Sequence, residues 1–70
     1  MTLAMLAPGE TGVVRSFRGK EEVKRHLQNL GFVQGEPVQV LSENSSGMIL
    51  LIKDVRVALN RGTAMKIEVA

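Results

Sequence analysis

The chain has no cysteine, no tryptophan and no tyrosine, and its only aromatic residues are Phe17 and Phe32 among 70 residues. Without cysteine there is neither a disulfide framework nor a thiolate cage for a metal, and the single histidine, His26, cannot by itself build a zinc site of the usual His and Cys types. A domain of this length buries only about 60% of the surface its extended chain exposes, so apolar packing alone must hold it. Two phenylalanines do not supply the row of stacking platforms that single-strand nucleic-acid binders use. The apolar run from Met48 to Ile52 is far short of the roughly 20 residues of a membrane span. The opening residues MTLAMLAPGE lack the basic region of a signal peptide. A cysteine-free chain is compatible with any compartment, so these two absences carry the expectation of a cytoplasmic protein.

What is present begins with one amphipathic helix. Val23, Leu27 and Leu30 recur at i, i+4 and i+7 with polar residues between them, which makes a narrow apolar stripe. Glu21 and Glu22 stand where the first turn favours negative charge, and Lys24, Arg25 and His26 follow toward the other end. Gly31 directly after Leu30 suits the left-handed position that closes a helix. The rest reads as β-structure. Gly12 to Phe17 forms a first strand after the Pro8-Gly9 turn, and Val38 and Val40 alternate with polar neighbours after the Gly35-Glu36-Pro37 turn. Asn44-Ser45-Ser46-Gly47 is a loop ahead of Met48 to Ile52, and Lys53-Asp54 turns that strand into Val55 to Leu59 as a hairpin. Asn60 caps one tight turn from Arg61 to Ala64, and Met65 to Val69 closes the chain as a fifth strand.

Five short strands cannot bury their apolar faces as a flat sheet in one domain spanning residues 1–70, whereas a small curled barrel can. The expected architecture is all-β with one short helix, a small SH3-like β-barrel. Its expected interior is Val14, Val38, Val40, Leu50, Ile52, Val57, Leu59, Ile67 and Val69, with Val23, Leu27 and Leu30 of the helix capping one opening.

The formal net charge is +2, and five of nine basic residues fall in Arg15, Arg18, Lys20, Lys24 and Arg25. Such a cluster suits an acidic partner or nucleic acid, and a solvated helix face interleaved with Glu21 and Glu22 explains it better. Gly19-Lys20 lacks both the earlier glycine and the following Ser or Thr of a phosphate loop. His26 and Glu22 lie one helical turn apart, but two ligands do not complete a metal site. The serines lack a paired base, and the carboxylates are scattered, so no enzyme and no cofactor is expected. Asn44-Ser45-Ser46 matches a glycosylation sequon, which carries no weight without a secretory signal.

The ordered set of residues resembles the ferrous-iron transport protein A (FeoA) family, and the same module attached to iron-dependent repressors. The resemblance lies in Leu3, Leu6, Pro8-Gly9-Glu10 and Gly12, then Leu27-Gln28-Asn29-Leu30-Gly31-Phe32 with Gly35-Glu36-Pro37-Val38, then Val57-Ala58-Leu59 ahead of Ala64, Ile67 and Val69. It implies an SH3-like barrel acting as a cytoplasmic accessory of FeoB, a GTP-binding ferrous-iron transporter, and peripheral to the membrane through that partner.

Binding is what remains. The strand Met48 to Ile52 is apolar on both faces, and a barrel has one interior. With Met48, Leu50 and Ile52 inward, Ile49 and Leu51 point out, where the helix or a second copy covers them or a partner segment docks. The leading expectation is a non-enzymatic interaction module using Arg25, Phe32, Ile49 and Leu51. The alternatives are a small basic nucleic-acid-binding barrel using the five basic residues, and a metal-responsive regulatory module using His26 and carboxylates.

Overall fold

A computed structural model describes all 70 residues, Met1–Ala70. The main elements are β1 (Thr11–Phe17), α1 (Glu21–Asn29), β2 (Pro37–Glu43), β3 (Gly47–Ile52), β4 (Val55–Asn60), the one-turn helix α2 (Arg61–Ala64) and β5 (Ile67–Val69), preceded by a 3₁₀ turn at Leu3–Met5. All strand pairs are antiparallel and the order is β4-β3-β2-β1-β5. This is the small SH3-like barrel, with the amphipathic helix inserted between β1 and β2.

The sheet curls because two strands carry irregularities in their pairing. β1 passes from β2 to β5 between Val13 and Val14 and shifts register against β5 between Val14 and Ser16, and β2 shifts between Val40 and Ser42 against β3. An extra residue on one strand bends it and sharpens its twist, so a seven-residue strand can serve two neighbours in succession. The N-terminus extends the curl: Thr2 bridges to Glu68, and the Val69 N–H donates to the Met1 carbonyl oxygen at 2.8 Å.

Fourteen buried apolar side chains form one core. Val14, Val38, Val40, Leu50, Ile52, Leu59, Ile67 and Val69 are in it, as their alternation predicts, and Met48 joins them. Val57 corrects the expectation of an interior position. It stands opposite Leu50 and packs against the core, but β4 is the last strand of the sheet, so one flank of Val57 has no neighbour and it stays half-buried. Leu3 from the 3₁₀ turn, Leu6 just after it and Ala64 from α2 also enter the core.

α1 is anchored inward. Leu27 is fully buried, and Val23 and Leu30 pack half-buried against the core. Its end is a complete Schellman motif: the Phe32 N–H donates to the Leu27 carbonyl oxygen at 3.0 Å and the Gly31 N–H to that of Gln28 at 3.0 Å, with Gly31 at φ 110°. In this motif the residue after the glycine turns its side chain back onto the helix face three residues before the cap. Phe32 accordingly shares the core with Leu27 and is 0% exposed. This corrects the expectation that Phe32 meets a partner.

The closing strand is also shorter than expected. The Met65 N–H donates to the Arg61 carbonyl oxygen and the Lys66 N–H to that of Thr63, which keeps Met65 and Lys66 in the turn and delays β5 to Ile67. α2 begins at a side-chain cap, Asn60 Oδ1 accepting from the Thr63 N–H at 2.7 Å. Asn60→Ala is expected to cost about 1 kcal/mol through loss of that cap, read as a lower urea midpoint with an unchanged slope.

Candidate partner-binding surface

The strand with two apolar faces is β3, and the structure separates them. Met48, Leu50 and Ile52 point into the core, while Ile49 is 37% exposed and Leu51 is half-buried on the outside. Cross-strand pairing extends this outer face: Ile49 stands opposite Ala58 of β4 and Ser42 of β2, and Leu51 stands opposite Arg56 and Gln39. At the irregularity in β2, Leu41 adds a third large apolar side chain beside them. Leu41, Ser42, Ile49, Arg56, Val57 and Ala58 line an open groove of about 490 Å³.

α1 leaves this face uncovered. Its apolar stripe is spent on the interior, with Leu27 buried in the same core as Leu50 and Phe32. The helix therefore does not serve as the cover for Ile49 and Leu51.

The residues expected to act together do not all meet. Ile49 and Leu51 share the outer face. Arg25 is exposed on α1 and lines none of the grooves, and Phe32 is inside the barrel. Arg56 and Ala58 belong to the surface although neither carries a signal in the sequence; only the pairing of β4 with β3 places them beside Ile49. Four ion pairs occupy the nearby and distant charges: Arg18 with Glu68 at 3.5 Å, Lys24 with Glu21 at 3.8 Å, Lys53 with Glu36 at 3.3 Å and Arg61 with Glu43 at 3.4 Å. Arg56 is exposed and in none of them.

The basic cluster is diluted by the same pairs. Of Arg15, Arg18, Lys20, Lys24 and Arg25, two are neutralised by a carboxylate partner, and Arg15 and Lys24 share a groove with uncharged Ser16, Gln28 and Gln34. His26 and Glu22 are both exposed on α1, and no group of three or more His, Cys, Asp or Glu side chains is placed to hold one metal ion. No helix is long and apolar enough to cross a membrane.

The turns that carry much of the sequence pattern are structural. Glu10 Oε1 accepts from the Ala7 N–H at 2.6 Å and the Gly9 N–H donates to the Val40 carbonyl oxygen at 2.7 Å, so the Pro8-Gly9-Glu10 turn is tied to β2. Asn44 Oδ1 accepts from the N–H groups of Ser46 and Gly47 at 2.9 and 3.0 Å, which shapes the β2–β3 loop.

Known proteins share both the pattern and the fold. The crystal structure of an iron uptake regulatory protein (FeoA) is 28% identical and superimposes with a TM-score of 0.92 over 99% of this chain and 93% of that one. The Stenotrophomonas maltophilia FeoA, solved in complex with zinc and described as a procaryotic SH3 domain protein, is 28% identical with a TM-score of 0.88 over 100% of this chain and 89% of that one. A manganese-dependent transcriptional repressor is 20% identical with a TM-score of 0.90; it covers all of this chain, which spans 40% of the repressor, and the likeness is one of fold. No curated protein matches the chain significantly. The FeoA domain model matches residues 1–70, from the first turn to the closing strand, and the chain therefore belongs to the FeoA domain family.

Proposed function

We propose that this protein is a small, non-enzymatic, cytoplasmic accessory of ferrous-iron transport that binds the cytoplasmic part of a FeoB-type GTP-binding transporter. The observation that carries the binding surface is the uncovered apolar outer face of β2, β3 and β4, with Leu41, Ile49 and Leu51 on a sheet whose only long helix packs to the inside. A small barrel gains nothing in stability from keeping such side chains in water, and a contiguous apolar patch on a small protein marks a contact surface. The family match supports the transport role, as does the description of the Stenotrophomonas maltophilia protein in terms of ferrous iron transport activation.

The test is binding of the full chain to the soluble GTPase domain and cytoplasmic loops of the transporter. Retention with a Kd tighter than about 100 μM, a free energy near −5.5 kcal/mol, is expected. Ile49→Asp is expected to weaken it by about 30-fold, the effect of removing a contact worth roughly 2 kcal/mol, while thermal unfolding stays within the small range of surface substitutions. Absence of binding by the unmodified chain rejects the proposal. In cells, deletion of the gene is expected to change the rate of ferrous uptake, with restoration by the unmodified gene and not by the Ile49→Asp form.

A further inference from the structure

The sheet has an unpaired edge beside the outer groove. β4 pairs with β3 alone and is last in the strand order. Which of its backbone groups face away from β3 follows from the hairpin. Lys53 and Asp54 form a two-residue turn with φ 49° and 62°, both left-handed, so the flanking residues Ile52 and Val55 are the first hydrogen-bonded pair. Hydrogen-bonded and non-hydrogen-bonded pairs then alternate along an antiparallel ladder, which directs Val55, Val57 and Leu59 toward β3 and Arg56 and Ala58 away from it. The far end agrees: the Leu59 carbonyl oxygen lies against Gly47 of β3. The N–H and C=O groups of Arg56 and Ala58 thus point out from the edge, where no other part of the chain bonds to them.

The side chains of these two residues rise on the outer face. Ala58 presents only a methyl group, so a bulky side chain on an added strand passes over it to Ile49 and Leu41. Two positions along, Arg56 supplies an exposed cation with no carboxylate of its own. A second copy of this chain is a poor occupant. β4 carries no acidic residue from Val55 to Asn60, and pairing two β4 edges brings both Arg56 side chains onto one face.

We propose that the edge of β4 is a strand-addition site. An extended partner segment carrying a carboxylate and a bulky apolar residue two positions apart pairs with the outward backbone groups of Arg56 and Ala58, its carboxylate meets the Arg56 guanidinium, and its apolar side chain fills the groove at Ile49 and Leu41. This rests on the reading of the outer face as the partner surface and names the chemistry of what occupies it.

The experiment uses the full chain, the cytoplasmic part of the transporter, and synthetic peptides tiling that part. Ala58→Pro deletes an edge N–H that the fold does not use, a position where proline is tolerated in a strand. It is expected to unfold normally and to lose at least about tenfold in affinity. Arg56→Glu is expected to lose at least about tenfold as well and to regain binding when the peptide's acidic residue is exchanged for lysine, which keeps the proposal testable should the proline variant be unstable. On binding, exchange of the Arg56 and Ala58 amides is expected to slow. Binding that both variants leave unchanged, or concentration-dependent self-association abolished by Ala58→Pro, overturns the strand-addition site and leaves the accessory role standing. Absence of binding by the unmodified chain overturns both.

Discussion

Phe32→Ala is expected to remove about 3–5 kcal/mol of stability, the usual cost of truncating a fully buried phenylalanine. A chain of 70 residues has roughly 3.5–10 kcal/mol in total at typical values per residue, so the variant is expected to be largely unfolded or to unfold at the first additions of urea. The cause is local. Phe32 is the largest fully buried side chain, and its N–H closes α1 onto the Leu27 carbonyl oxygen at 3.0 Å. Truncation therefore leaves a cavity where the helix, through Leu27, meets the barrel. Equilibrium unfolding by circular dichroism and fluorescence-free probes such as amide exchange checks this. A variant that keeps the wild-type midpoint but loses partner binding would return Phe32 to the surface role its sequence context had indicated.

The contrast between Phe32 and Ile49 shows where periodicity carries information. In β3 the apolar run is unbroken, and strand pleat alone puts Met48, Leu50 and Ile52 on one side and Ile49 and Leu51 on the other. The same holds for Val38 and Val40, and for Leu27 at helical spacing. Phe32 follows a glycine at φ 110°, where neither the period of 3.6 nor that of 2 applies. Its direction was nonetheless readable by another rule: an apolar residue after a closing glycine, with an apolar residue five positions before it in the chain, is the hydrophobic signature of a Schellman motif. Leu3 and Leu6 lie in and just after a 3₁₀ turn and Ala64 ends a one-turn helix, elements too short to show a period, and they had no such signal beyond the family pattern. The five strands and the barrel were legible because each strand is short and bounded by turn residues, with apolar and polar residues alternating in β2, β4 and β5.

The candidate site was legible only in half. Ile49 and Leu51 follow from counting faces. Arg25 appeared with them through its charge and exposure, and the structure puts it on a helix that faces the interior from elsewhere on the barrel. Arg56 and Ala58 were out of reach, because being an edge is a property of strand order and not of residues. Once β4 is known to end the sheet, the two left-handed residues Lys53 and Asp54 fix which of its groups face outward.

The second large effect belongs to Gly47→Ala. Gly47 pairs with Asn60 at the open end of the β3–β4 hairpin, beside the β2–β3 loop, and a methyl group there would overlap the Leu59 carbonyl oxygen and sit 3.1 Å from the Asn60 Cα. Both obstacles are backbone, so neither can rotate aside as a flexible side chain would. Relief requires β4 to move off β3, which breaks the ladder at Leu59 and strains Asn60, whose side chain caps α2 through the Thr63 N–H at 2.7 Å. Forced insertion into a packed site costs typically 1–3 kcal/mol, and the upper end is expected here. In a domain of this size about 3 kcal/mol lowers the melting temperature by more than 10 °C. The loss is expected to be uneven: amides of β4 exchange faster while those of β1 and β5 keep more of their protection, since these strands pair with each other on the far side of the sheet. Because the same displacement disorders the edge at Ala58, partner binding is expected to fall even at temperatures where most molecules remain folded. A Gly47→Ala protein with an unchanged melting temperature and unchanged β4 exchange would show that the hairpin yields without cost, and the assignment of outward groups on β4 would lose the anchor that Leu59 gives it.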